Sequence, residues 1–471
     1  MIGGAGGPSS WGDRLRAWRE EQMWTQTDLL QYIEAAGHKL HEPRGQKLDL
    51  RNVGRWERGE TRRPHPGYLR LLAHLGAPLP DDPQTTETAA SGAEVSLWLP
   101  DDTGVVAAEF TRQDLSMKRR DLHKLVATVV VGGPLLDHLE HWLSVTPADA
   151  APPGGGLSIG MQEVDELETA ARVFRDWDDR HGGGLRRKAV LGQLNELSET
   201  VTELSSGPLK QRLYRVMAQL SETAAMMSWD SGLQESAQRY FMLAIRAAHA
   251  GGDPAFAANA MAAMARQLLY LGHASDALEV IRLAQSTVGD AATPRLTSVL
   301  ALREAWAFAH LGRHTAFERT VGAAEDAFSR AGRPETEPYW LHYFDAAELH
   351  GTVGGRLLEL AQTGRGTPTH AVAATGRITQ ALDTRDDGRR RASALDLIGL
   401  SQAHMLSGEL DEGARIGHRA IEAAQATSSD RVRVMLRDFH TDTEPHARSV
   451  AVRALRDHAA EALRTTEEGR A

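Results

Sequence analysis

Cysteine is absent from this chain of 471 residues, and aromatic residues make up only 6% of it. Without cysteine there is no disulfide framework, no thiolate metal site and no cysteine nucleophile, which is typical of proteins kept in a reducing compartment. No stretch approaches the ~18 consecutive apolar residues that a membrane-spanning helix needs. The Gly-rich segment 1–10 lacks the apolar core of a signal peptide. We therefore expect a cytoplasmic protein.

The length and the amino-acid composition of the chain favour several helical domains. A chain of this length exceeds one ordinary hydrophobic core, and Ala, Leu, Arg and Glu, which dominate it, favour helix. The net charge of −10 is unevenly spread, because residues 11–76 carry 12 basic and 9 acidic residues and the remainder therefore sums to −13. A basic N-terminal module on an acidic body is typical of a nucleic-acid-binding module joined to a domain with another task.

Pro- and Gly-rich stretches divide the chain into three parts. A compact helical unit spans 11–76, and a linker with an intermediate helical segment spans 77–156. Within that segment SLWLPDD could form a short strand and turn, and the basic patch at 118–120 is expected to open a helix that reaches about Leu143. From 157 to 466 the apolar residues recur at i, i+3, i+4 and i+7, which predicts successive helices separated by short turns.

This long helical part contains a repeat. Gly232, Gly272 and Gly312 are spaced by 40 residues, and small and bulky apolar residues occur at fixed offsets from them. Seven positions before each glycine lies an alanine: Ala225, Ala265 and Ala305. Nine positions after each glycine lies a bulky apolar residue (Phe241, Ile281 and Val321), and twelve positions after it lies another alanine (Ala244, Ala284 and Ala324). A fourth unit with Ser401, Gly408 and Ala420 has small residues at the same offsets. We expect each glycine to end a first helix in a left-handed cap, and the small residues to let a second helix cross closely.

These offsets resemble the tetratricopeptide repeat, although that family has a typical period of 34 residues. The longer period implies longer helices or turns here, and a non-repetitive helical bundle is the alternative. The resemblance implies an α-solenoid with a ligand groove along its first helices. We expect Asn259, Arg266, Tyr270 and Trp306 to face that groove, where an asparagine can clamp a peptide backbone and an arginine can bind a carboxylate.

The N-terminal unit predicts three helices. Thr25 is expected to cap the second helix, Asp49 to cap the third, and Val53 and Trp56 to face inward from the third. The stretches TQTDLL (25–30) and RWERG (55–59) resemble the Xre/Cro-like helix-turn-helix family. That resemblance implies that the third helix enters the major groove of double-stranded DNA.

The resemblance assigns DNA-contacting residues one by one. Arg51, Asn52 and Arg55 are the candidates for base edges, with Gln26 assisting, whereas Arg58, Arg62 and Arg63 are candidates for phosphate contacts. Glu57 is expected to pair with an arginine of the first helix, either Arg14 or Arg19. The insertion at 38–47 departs from the tight turn usual in the family, and its role stays open.

The whole arrangement resembles a family of actinobacterial regulators, to which WDDRHGGGLRRKAV (177–190) is also similar. The sequence thus predicts an all-α transcription regulator, homodimeric and nucleoid-associated when bound to DNA. Its repeat domain would bind a peptide, a small molecule or a protein. The alternative is a repeat scaffold with a weak or inactive DNA-binding unit. Asp176, Asp178, Asp179 and His181 are interpreted as helix-end residues rather than a metal site, and we expect no enzymatic activity and no cofactor.

Overall fold

The computed structural model describes residues 11–22, 24–40, 50–58, 68, 72, 77, 103–116, 129–144, 159–181, 187–204, 207–362, 369–427 and 429–468. These residues form an all-helical fold without strands, as the sequence predicted. The chain divides into two compact units, 1–92 and 93–471. Much of the predicted linker and intermediate segment at 77–156, including SLWLPDD, lies outside the described residues.

The first unit contains α1 (Trp11–Glu21), α2 (Gln26–Leu40) and α3 (Leu50–Glu57). As expected, Thr25 caps α2: its hydroxyl accepts the backbone N–H of Asp28 at 3.2 Å, and the Asp28 carboxylate accepts the backbone N–H of Thr25 at 2.7 Å. This reciprocal pair satisfies donors that the helix start would leave unpaired. The apolar sides of the helices meet in a small core: Trp11, Leu15, Leu29, Ile33, Val53, Trp56, Leu72 and Ala77. The predicted cap Asp49 lies outside the described residues.

The second unit is a series of helices with two hydrophobic cores. In chain order they are α4 (Thr103–Ser116), α5 (Gly133–Ser144), α6 (Met161–His181), α7 (Arg187–Glu203), α8 (Pro208–Asp230), α9 (Gln234–Ala250), α10 (Pro254–Tyr270), α11 (Ala274–Val288), α12 (Pro294–His310), α13 (His314–Ser329), α14 (Ala346–Gln362), α15 (Thr369–Thr384), α16 (Arg390–Leu406), α17 (Leu410–Gln425), α18 (Asp430–Asp442) and α19 (Val450–Glu468). Among the described residues, no helix is long and apolar enough to cross a membrane.

From α8 onward, consecutive helices pack in pairs, and each pair is a helical hairpin. The predicted glycines follow α8, α10, α12 and α16, and their φ angles of 79°, 86°, 68° and 84° lie in the left-handed region, which confirms the predicted caps. The small residues at the predicted offsets, such as Ala265 and Ala284, are fully buried. One 40-residue period is filled by a 17-residue helix, the turn 271–273, a 15-residue helix and the connection 289–293.

The intermediate segment differs from its prediction. The prediction of one helix from 118 to Leu143 is wrong, because residues 129–132 are non-helical and α5 begins only at Gly133. Gly132 has a φ of 73°, and Pro134 at the start of α5 lacks an N–H that could continue a preceding helix. The backbone of Val130 instead pairs with the Gln238 side chain on α9, donating and accepting at 2.7 Å. Consequently α4 and α5 pack on the hairpins of the second unit.

Candidate functional site

A buried ionic network fixes α3 within the first unit. Glu57 is 2% exposed and accepts two hydrogen bonds from Arg19, at 2.6 Å and 3.1 Å, and one from the Gln26 amide at 2.7 Å. Burial alone would raise the pKa of Glu57, but the bonds from Arg19 and Gln26 lower it below its ordinary value. The pairing of Glu57 with Arg19 was one of the two predicted alternatives. Gln26 joins α2 to α3 here, and its contact with DNA stays a prediction.

The opposite face of α3 is polar and accessible. Val53 and Trp56 are buried, as predicted, whereas Arg55 and Arg58 are exposed and Asn52 is half-buried. Arg55 lies on this eight-residue helix and Arg58 directly follows it, so both exposed arginines can contact a negatively charged surface. The Arg51 side chain lies outside the described part of the structure, as do Arg62 and Arg63.

The four residues predicted for a ligand groove occupy different surroundings. Arg266 lines a cavity, which is described below. Asn259 is 2% exposed, and its amide donates to Glu222 of the cavity wall at 2.8 Å. Tyr270 is 40% exposed and packs edge-on against Trp229. Trp306 donates to His310 at 2.8 Å, and the Arg356 guanidinium lies 3.9 Å from its ring centroid. Of the four residues, Arg266 lines the cavity and Asn259 contacts its wall through Glu222, whereas Tyr270 and Trp306 are not part of the lining.

The cavity lies where the first helices of the hairpins converge, and we call it the central cavity. Its volume is about 90 Å³, enough for a few water molecules. Its walls come from α6, α8, α10, α12, α14, α16 and α18 and from the loops before α14 and α16. Charged side chains dominate its lining: Arg175, Arg266, Arg303, Arg389, Arg391 and Arg431, with Asp178, Asp179, Glu222 and Glu348.

Two buried carboxylates pair with three of these arginines. Glu222 accepts from Arg175 at 2.6 Å. Asp230, directly behind the wall at the end of α8, accepts from Arg431 at 2.5 Å and also from Arg391. Burial alone would lower the pKa of Arg391, but the nearby carboxylates, with Asp230 foremost, raise it well above its ordinary value. These three guanidinium groups are therefore part of the wall itself.

Arg266 and Arg303 are differently placed. Arg303 is 2% exposed, and its Nε and Nη1 make no hydrogen bond to any described residue. Burial lowers the pKa of Arg266 to about 9, and the neighbouring Arg303 and Arg431 add to the effect. Within the described residues, no carboxylate lies within 4.0 Å of either guanidinium. The cavity thus contains two close positive charges without a directly paired anion.

The nearby carboxyl groups compensate for these two charges only in part. Burial would raise the pKa of Glu348, yet the attraction of Arg266, Arg385 and Arg303 lowers it to about 2. Its ion-pair partner, however, is Arg385, at 3.4 Å. Asp178 is 3% exposed with Oδ1 unpaired, and burial raises its pKa to about 7. Near neutral pH Asp178 therefore carries only part of a negative charge.

No protein-family model and no curated protein sequence matches this chain. The resemblances described above therefore depend on the quoted motifs alone.

Of the side chains that line the cavity, the sequence predicted only Arg266 as a ligand-groove residue. Asp178 and Asp179 lie near the end of α6, as interpreted from the sequence, but Asp178 is also a buried residue of the cavity wall. A usable signal did exist, because Glu222 and Arg303 interrupt otherwise apolar stretches of first helices. Charged residues are almost never fully buried unless they are paired, so such interruptions indicate an internal polar site.

Proposed function

We propose that this protein is a sequence-specific DNA-binding transcription regulator. Its first unit would be a helix-turn-helix domain, and its second unit a tetratricopeptide-like solenoid that binds a regulatory ligand or partner. We further propose that it acts in the cytoplasm as a homodimer, since two α3 helices on half-sites one helical turn apart would bind more tightly than one.

One observation carries the DNA-binding proposal. The Arg19–Glu57–Gln26 network fixes α3 against α1 and α2, while Arg55 on the outer face of α3 and Arg58 directly after it are exposed. A recognition helix needs this combination, because base readout requires a rigid helix whose side chains reach out of the domain. The capping of α2 by Thr25 supports it further. The solenoid assignment is supported by the hairpins and their left-handed glycines.

Genome-wide binding by the wild type and by Arg51→Ala and Arg55→Ala variants tests this function. We expect discrete sites for the wild type and a tenfold to hundredfold weaker affinity for each variant, because one bidentate base contact contributes about 1–3 kcal/mol. Arg58→Ala should weaken binding to all sequences equally and lower the salt dependence by about one counterion.

Arg282→Ala is the matched control, because Arg282 is a half-exposed arginine of the second unit, paired with Glu279. The Arg282→Ala variant should bind the same genomic sites as the wild type. Unchanged sites in Arg51→Ala and Arg55→Ala would reject the assigned helix. If the wild type shows only weak, salt-sensitive attachment, the protein is a repeat scaffold.

A further inference from the structure

The central cavity has the composition of an anion-binding site. Six arginines and four carboxylates line it. Asp230 and Asp345, outside the lining, pair with three of these arginines. Burying an unpaired charge is costly, so a buried lining arginine without an ion-pair partner normally has a function or a counter-ion.

Arg266 and Arg303 are the two lining arginines without a carboxylate partner among the described residues. Arg175, Arg391 and Arg431 are paired with Glu222 and Asp230. The remaining lining arginine, Arg389, lies 3.9 Å from Asp345 and donates to a backbone carbonyl. Arg303 alone has two buried N–H groups, on Nε and Nη1, without an acceptor among the described residues.

The geometry of the two arginines also fits an oxyanion. Arg266 on α10 and Arg303 on α12 belong to first helices of consecutive hairpins and line the same cavity. The planar guanidinium group presents donors in a fork that matches a carboxylate or a phosphate. Tyr343 adds a hydroxyl to the lining, and burial raises the pKa of Tyr343, so this hydroxyl stays protonated and can donate as well.

We propose that Arg266 and Arg303 bind the phosphate or carboxylate group of a small anionic molecule in the central cavity. A volume of about 90 Å³ admits such a group but not a folded peptide segment. Since the wall also contains α6, α8, α16 and α18, which are far apart in sequence, a bound anion would stabilise the packing of these helices around the cavity. The role of this anion as the regulatory signal rests on the proposed function, whereas its binding does not.

Titration calorimetry on the full chain tests the proposal without DNA. The probes are inorganic phosphate and succinate, each added at constant ionic strength against a chloride blank. We expect saturable binding of at least one probe, and the tighter probe distinguishes a phosphate ligand from a carboxylate ligand. Absence of saturable binding by both probes would overturn the proposal.

Arg266→Met and Arg303→Met identify the site. Each is expected to weaken the affinity for the tighter probe at least tenfold, because one of two guanidinium donors is lost. Arg282→Met, at a half-exposed arginine of α11, should bind like the wild type. Wild-type affinity in both cavity variants would overturn the proposal.

A second measurement separates a ligand site from a structural ion pair. In buffer free of both probes, Arg303→Met should melt at or above the wild-type temperature, since it removes an unpaired buried charge. A clear fall in the melting temperature would mean that Arg303 already has a structural counter-charge, and would contradict the proposal. Arg55→Ala should lose DNA sites yet keep its anion affinity, so the two proposals fail independently.

Discussion

Asp230 connects parts of the second unit that are far apart in sequence. It is 1% exposed and accepts from Arg431 at 2.5 Å, from Ser429 at 3.4 Å and from Arg391. The bond to Arg431 spans 201 positions of the chain. Asp230 therefore joins the end of α8 to α16 and α18, and it closes one side of the central cavity.

We expect Asp230→Ala to destabilise the second unit strongly. The substitution leaves two mostly buried guanidinium groups without their nearest carboxylate, and breaking a buried pair from one side costs about 3–5 kcal/mol. For a unit of this size the melting temperature should fall by roughly 5 °C. The loss should be largest where the C-terminal hairpins meet α6 and α8, because repeats are otherwise stabilised mainly by their neighbours.

Urea and thermal denaturation followed by circular dichroism measure the loss, and amide hydrogen exchange locates it. Asp290→Ala is the control, because Asp290 is an exposed acid in a turn of the same unit. The triple variant Asp230→Ala, Arg391→Met, Arg431→Met should recover most of the stability, since apolar replacement of a whole buried ionic group is often neutral. The reasoning is refuted if Asp230→Ala stays within about 1 kcal/mol of the wild type.

Three further predictions follow from the same structure. Glu57→Ala should cost about 3 kcal/mol in the first unit, because the buried Arg19 loses its main carboxylate partner; a normal melting curve with retained DNA binding would contradict this. Gly272→Ala should cost about 1–2 kcal/mol, because the φ of Gly272, 86°, is left-handed. Gly192 occupies an exposed helical position with open space around it, so Gly192→Ala should stabilise the protein by about 0.5–1 kcal/mol. Equal effects of the two substitutions in urea unfolding would reject this reasoning. Burial raises the pKa of Asp178 from 3.8 to about 7, so its contribution to stability is full below pH 3.8 and is lost as the pH rises to about 7. Asp178→Asn should flatten that decline in the free energy of unfolding, by at most about 1.4 kcal/mol per pH unit. An unchanged pH profile of urea unfolding would disprove the assignment.

Much of the fold was readable in the sequence because it depends on short-range rules. The 40-residue spacing of glycines predicted the hairpin turns, and each of those glycines indeed has a left-handed φ. The cap at Thr25 and the inward faces of α3 followed from residue type and helical period. The helix expected from 118 to Leu143 failed for a local reason too, since Gly132 and Pro134 interrupt it.

Less of the cavity could be predicted from the sequence, because the residues that form it are far apart in the chain. Asp178, Asp230 and Arg431 are unremarkable charged residues in the sequence, and each could equally lie on a solvated face. Even for Asn259, the first-helix position was predicted correctly, but its burial against Glu222 was not. Periodicity places a side chain on a face of one helix, yet it does not say which other helices that face will meet.

The sequence by itself determined the helices, their caps and the hairpin repeat, because these depend on residues within a few turns of each other. Only the tertiary structure decided which charges are paired. Packing α6 and α8 against α16 and α18 removes water from groups separated by up to 201 positions. Desolvation then makes every unpaired charge costly, and in this way the fold distinguishes Arg266 and Arg303 from the other arginines that line the cavity.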